Sequence, residues 1–146
     1  MDALRNPPSY LEDGPRIRDQ DGVATFTYKR MVASARELVE IETEISREDF
    51  DMLWPECVTG LHKTRYAKRD DAGDWVVDFL RDGAGALYFV LAEVELPRGV
   101  EAPSVIAPEI APFVVHAVAA TDSRFTNKRL TDVAYASELY REITGG

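Results

Sequence analysis

The chain has 146 residues, 45% apolar and 29% charged, and its 17 Lys and Arg against 26 Asp and Glu give a net charge of −9. That describes one soluble domain able to bury a core, and it argues against a general nucleic-acid surface, which needs a basic footprint. No apolar run is long enough for a membrane span, MDALRNPPSY lacks the apolar region of a signal peptide, and the single Cys57 excludes an internal disulfide and a thiolate zinc cluster and fits a reducing cytoplasm.

Residues 1–9 read as an irregular arm, with Pro7 and Pro8 set against regular structure. PRIRDQ (15–20) predicts a short strand, Asp21-Gly22 a hairpin turn, and VATFTYKR (23–30) the returning strand. RELVEIETEI (36–45) predicts a third strand. In SREDFDMLWP (46–55), Ser46 with Asp49 approximates a capping box and Pro55 ends the run, so a short helix is expected with Phe50, Leu53 and Trp54 on its buried side. LHKTRYAK (61–68), WVVDFL (75–80) and ALYFVLAEVEL (86–96) predict strands, the last the longest, separated by the turns RDDAGD and DGAG. Four prolines (Pro97, Pro103, Pro108, Pro112) make 97–112 an extended connection. FVVHAV predicts a last short strand, TDSRFTNKRLTD a loop with a helical turn, and DVAYASELYREI (132–143) a closing helix. Many short strands and few helices predict an α+β chain whose antiparallel sheet curls or closes into a barrel.

The stretch VEIETEI (39–45) places Glu40, Glu42 and Glu44 in a row on one strand face, although like charges side by side repel. Either that face looks into water or something positive sits against it. The same period of two groups Arg16 with Arg18, Lys29 with Thr27 and Thr25, Lys63 with Arg65, and Glu93 with Glu95. A solvated face is the plain explanation of any one such row, because antiparallel sheets commonly face water on one side. Taken together, the rows suit a barrel with a charged interior and a ligand. Arg and Lys match a polyphosphate, and paired carboxylates match a hard divalent ion such as Mg²⁺ or Mn²⁺. His62 and His116 have no metal-ligand partners in sequence, Cys57 has no base motif and reads as a packing residue, and Trp54 and Trp75 read as core or outer-wall aromatics.

HKTRY, WVVDF, LAEVEL and DSRFTN, preceded by SYL, RIR, TFTYK, EIETEI and FDMLWP, resemble in order and spacing the strands of a CYTH domain, the triphosphate tunnel metalloenzymes, in its short bacterial form. The resemblance covers about residues 9–131 of one CYTH-like domain spanning 1–146. It implies an antiparallel β-tunnel of seven to eight strands with a few flanking helices. It implies a triphosphate-containing small molecule as substrate, bound by Arg16, Arg18, Lys29, Lys63 and Arg65. It implies Mg²⁺ or Mn²⁺ held by Glu40, Glu42, Glu93 and Glu95 with Asp78 nearby, and Lys29 and Glu42 as the catalytic pair. Asp122, Arg124 and Asn127 resemble the family's Asp-x-Arg-Tyr-x-x-Asn segment. Arg124 then joins the substrate binders, or else Asp122 and Asn127 only shape a loop and cap a helix. The implied activity is attack of a metal-positioned water on the terminal phosphoryl group, with inorganic triphosphatase, thiamine triphosphatase and class IV adenylate cyclase as the family's activities.

The chain departs from the family at specific places. No Glu-x-Glu-x-Lys precedes Tyr10, Leu38 stands where an Arg precedes the Glu pair, and HAVAATD lacks the Glu of the family's Glu-Val-Thr segment. The first tunnel strand is therefore expected to be missing, leaving an open edge suited to a homodimer. A natural start further upstream, a partner covering the edge, or a degenerate member that binds an anion without turnover would each explain this. Three functions remain: a metal-dependent triphosphatase, a non-catalytic polyphosphate-binding or interaction module, and a solvated sheet without a ligand. No nucleic acid or membrane partner is expected.

Overall fold

The computed structural model describes residues 2–6, 8–10, 15–32, 34–35, 37–71 and 73–146, with the side chains of 2–6, 8–10, 31 and 70 outside the description. The strands are β1 (Asp2–Asn6), β2 (Pro8–Tyr10), β3 (Arg16–Gln20), β4 (Val23–Val32), β5 (Glu37–Glu44), β6 (Thr59–Gly60), β7 (His62–Asp70), β8 (Gly73–Arg81) and β9 (Leu87–Val94). The helices are α1 (Arg47–Leu53), α2 (Asn127–Leu130) and α3 (Val133–Thr144). This is a mixed α+β fold in two sheets, ordered β5-β4-β3-β2-β6 and β1-β7-β8-β9. The chain divides into two compact units, Leu4–His62 and Met1–Ala3 with Lys63–Gly146. No helix among the described residues is long and apolar enough to cross a membrane.

In the Leu4–His62 unit, a two-residue loop joins β3 to β4, closing Gln20 against Val23. Both loop residues have positive φ, 52° at Asp21 and 87° at Gly22, the geometry that twists with the flanking strands and that Asp-Gly favours. Asp19 steadies the turn: its Oδ1 accepts from the Gly22 amide at 3.0 Å and its Oδ2 accepts from Arg47 at 2.8 Å. Helix α1 starts at Ser46, whose hydroxyl accepts from the Asp49 amide at 3.0 Å and satisfies one of the amides a helix start leaves open. The buried residues Ile17, Ala24 and Phe50, with Phe26, Ile45, Leu53, Trp54 and Cys57 against them, form the core of this unit. Cys57 is thus a packing residue, its thiol directed at the Leu53 carbonyl.

In the other unit, β8 and β9 pair antiparallel from Trp75↔Val94 to Leu80↔Phe89, with a register shift at Leu80/Arg81. Trp75, Leu80, Phe89, Leu130, Ala136 and Leu139 are buried. Tyr140 of α3 meets the Phe89 ring edge-on at 6.3 Å, and the Tyr88 hydroxyl donates to the Leu130 carbonyl at 2.7 Å. Asp132 caps α3 through the Tyr135 amide, and Gly145 closes it in the left-handed region at φ 69°.

Three expectations are corrected. The arm at 1–9 contains β1 and β2, so an N-terminal strand is present, although DALRN carries a single acid. Its strand character comes from pairing, which local propensity does not reveal: β1 neighbours β7, and β2 lies between β3 and β6. Pro8 is tolerated as the first residue of its strand. FVVHAV is not a strand, because a 3₁₀ turn at Ala111–Phe113 begins it and irregular chain follows. The strand predicted over 86–96 ends at Val94, so β4, with ten residues, is the longest.

Candidate functional site

The register of the five-stranded sheet turns the charge rows into lines across the strands. Arg16 lies opposite Thr27 and Thr27 opposite Glu42; Arg18 lies opposite Thr25 and Thr25 opposite Glu44; Lys29 lies opposite Glu40. Paired residues share a face, so one face runs from guanidinium on β3 through hydroxyl on β4 to carboxylate on β5. The opposite face carries Ile17, Ala24 and Phe26, the side that belongs to the core with α1.

This lattice accounts for the acidic row. Lys29 bridges to Glu40 at 3.0 Å, the Thr27 hydroxyl donates to Glu42 at 2.9 Å, and every residue of β5 is exposed. Two of the three carboxylates therefore have a donor directly across the strand, and water screens the rest. At the other end, Thr27 is buried, and Arg16 Nε is a buried donor with no hydrogen-bond partner among the described residues. An unmet guanidinium donor of this kind suits an oxyanion.

A second cluster lies in the Lys63–Gly146 unit. Asp78 on β8 is fully buried. Its Oδ2 accepts from Lys63 Nζ at 2.6 Å, and Arg65 engages it side-on, Nε to Oδ1 and Nη2 to Oδ2, both at 2.7 Å. Lys63 and Arg65 thus present alternate positions of β7 to the Asp78 face, which also carries Glu93 opposite Val76. Glu93 Oε2 is 3.6 Å from Arg65 Nη2. Burial pushes the Asp78 carboxyl up, but the Arg65 hydrogen bonds and the Lys63 charge outweigh it and hold it below the usual carboxylate value. Burial lowers the Lys63 amine against the pull of Asp78, while the hydrogen bond to Asp78 raises Arg65.

The predicted site residues therefore fall into two face-sharing groups, with Glu95 and Arg124 apart from both. Arg16, Arg18, Lys29, Glu40 and Glu42 share one sheet face, and Lys63, Arg65, Asp78 and Glu93 share another. Glu95 lies beyond the end of β9, so strand geometry no longer aligns it with Glu93. Arg124 belongs to a separate network: Asp122 caps the 3₁₀ turn Ser123–Phe125 and grips the guanidinium, while Nη1 donates to Glu142 at 3.1 Å. Those hydrogen bonds raise Arg124 and lower Asp122. Asp78, expected beside a metal, has both oxygens engaged by cations, and an ion there would have to displace those bonds. The sequence reading missed this role, although a lone acid at an apolar face position of WVVDFL was a signal for a buried cation partner. His62 packs edge-on to Trp54, and His116 stacks on Phe125.

No group of three or more metal-ligating side chains gathers among the described residues. Glu40 and Glu42 nevertheless offer two exposed carboxylates at strand spacing on one face. That donor set suits an ion such as Mg²⁺, which takes one or two protein carboxylates and fills its shell with water and substrate phosphates.

No family model matches the chain. No curated protein matches it either. Among solved structures, the crystal structure of the hypothetical protein NE1496 is similar, with a TM-score of 0.53 and 25% sequence identity over 89% of this chain and 86% of that one.

Proposed function

We propose that the chain is a triphosphate tunnel metalloenzyme of the CYTH kind, a cytoplasmic, metal-dependent hydrolase of inorganic triphosphate or a small organic triphosphate. The finer fold proposed with it is the β-tunnel that the resemblance implies. The observation that carries the proposal is the cross-strand order of Arg16–Thr27–Glu42 and Arg18–Thr25–Glu44, guanidinium and carboxylate rows on one face with a threonine row between them. Arg16, Arg18, Lys29, Lys63 and Arg65 would neutralise the phosphate oxygens. Glu40 and Glu42, and separately Glu93, are the carboxylates proposed for Mg²⁺ or Mn²⁺, which would offset developing charge and orient water when bound. Glu42 would act as the general base and Lys29 would face the reacting phosphoryl group.

The test is phosphate release from inorganic triphosphate with Mg²⁺ and with Mn²⁺, for the parent chain and for Arg65→Ala and Glu93→Ala. Turnover in the parent that both variants lose supports the hydrolase. A folded parent without turnover sinks it. The second reading, a non-catalytic polyphosphate-binding module, is favoured by the single acid in β1 and by the lack of a three-carboxylate cluster among the described residues. It predicts a rise in melting temperature with tripolyphosphate and no phosphate release. Adenylate cyclase activity ranks lower, since nothing in the sequence marks a nucleobase pocket.

A further inference from the structure

Arg65 is the accessible end of the buried cluster. Its side chain is 24% exposed, against 3% for Lys63 and 0% for Asp78. A guanidinium has five N–H donors in a fixed fork. Asp78 takes Nε and one Nη2 donor, and Glu93 stands 3.6 Å from Nη2. The Nη1 edge has no acceptor in the described residues. Lys63, behind Asp78, gives its one hydrogen bond among the described residues to Asp78 Oδ2.

We infer that Asp78, anchored by Lys63, is a positioning residue that clamps the Arg65 guanidinium side-on and so presents its Nη1 edge to a phosphate oxygen of the substrate. The inference rests on the triphosphate proposal. It makes Lys63, rather than a direct phosphate ligand, and Asp78, rather than a neighbour of the metal, residues that act through Arg65. The chain of contacts explains why a carboxylate, which competes with any anion, sits among the cations: a long arginine side chain loses rotational freedom on binding unless something fixes it beforehand.

Charge alone and positioning predict opposite signs. Asp78→Asn removes a negative charge beside two cations, so Coulomb attraction by itself would tighten anion binding. Loss of the clamp would weaken it. The experiment titrates inorganic tripolyphosphate calorimetrically into the parent chain, D78N and the double variant K63M/D78N, which removes the buried pair together and so tests the clamp even where D78N alone fails to fold. Proton–nitrogen NMR of the Arg65 Nε–H, assigned by Arg65→Lys, reads the clamp without ligand. The expected result is a slowly exchanging, downfield Nε–H in the parent that is lost in both variants, with tripolyphosphate binding weaker by about tenfold or more. Equal or tighter binding by either folded variant overturns the inference. A rapidly exchanging Nε–H in the parent overturns it too. A protected Nε–H in a parent that binds no tripolyphosphate overturns the triphosphate proposal and the phosphate-facing role, and leaves only the clamp.

Discussion

The face spanning β3, β4 and β5 and the cluster on β7, β8 and β9 use the same residue types at the same spacing of two, yet they store charge differently. In the first, cations and carboxylates are spread over strands and meet as exposed pairs; the Lys29–Glu40 side chains are 41% and 42% exposed. In the second, two cations converge on one carboxylate that has lost all contact with solvent. Exposed pairs cost little to form and contribute little, so they can exchange partners when a ligand or ion arrives. A buried cluster carries a desolvation cost that only good geometry offsets, so it is fixed in place. The first face can rearrange and the second is set in advance.

The contrast can be broken most directly at Asp78. Asp78→Asn leaves Lys63 and Arg65 without their buried counter-ion, and a loss of about 3–5 kcal/mol in urea unfolding is expected. The sign of the acid limb follows as well. Because the folded-state Asp78 carboxyl titrates below its unfolded value, the parent holds this stability above about pH 4 and loses it as pH falls through the lowered value. D78N lacks that part of the acid limb. A cost under about 1 kcal/mol would make the cluster no different from a surface pair. Next comes Ile17→Ala, which truncates a fully buried side chain between Arg16 and Arg18. It is expected to cost about 3 kcal/mol, showing that the apolar side of β3 carries stability while its charged side does not. The smallest effect belongs to the Lys29–Glu40 pair. A double-mutant cycle read by thermal or urea unfolding should give a coupling of about 0.2–1 kcal/mol, and a value near that of the buried cluster would erase the distinction.

Local chemistry made much of this legible from sequence. Asp21-Gly22 announced its hairpin, Ser46 its helix start, and period-two alternation located β3, β4, β5, β7 and β8 together with the residues sharing each face. What stayed hidden depends on neighbours distant in the chain. β1 and β2 exist through pairing, and DALRN and PSY show no alternation of their own. FVVHAV has strand-forming residues, but they follow Pro112 and have no partner strand among the described residues, so propensity alone misleads. For Asp78, alternation identifies the face. That Lys63 and Arg65 stand beside it is a fact of the β7–β8 alignment, which no single strand encodes.

The two-residue loop at Asp21 and Gly22 fixes more than a bend. Side-chain direction alternates along a strand, so β3 and β4 have a parity, and the loop length decides whether the two agree. Inserting one residue there and shifting β3 by one place would turn Arg16 and Arg18 toward Phe50 and put Ile17 in the row of threonines and glutamates. Which face Arg16 and Arg18 present therefore depends on the length of a turn that contains neither of them, and a change in that length alone would exchange the charged and apolar sides of β3.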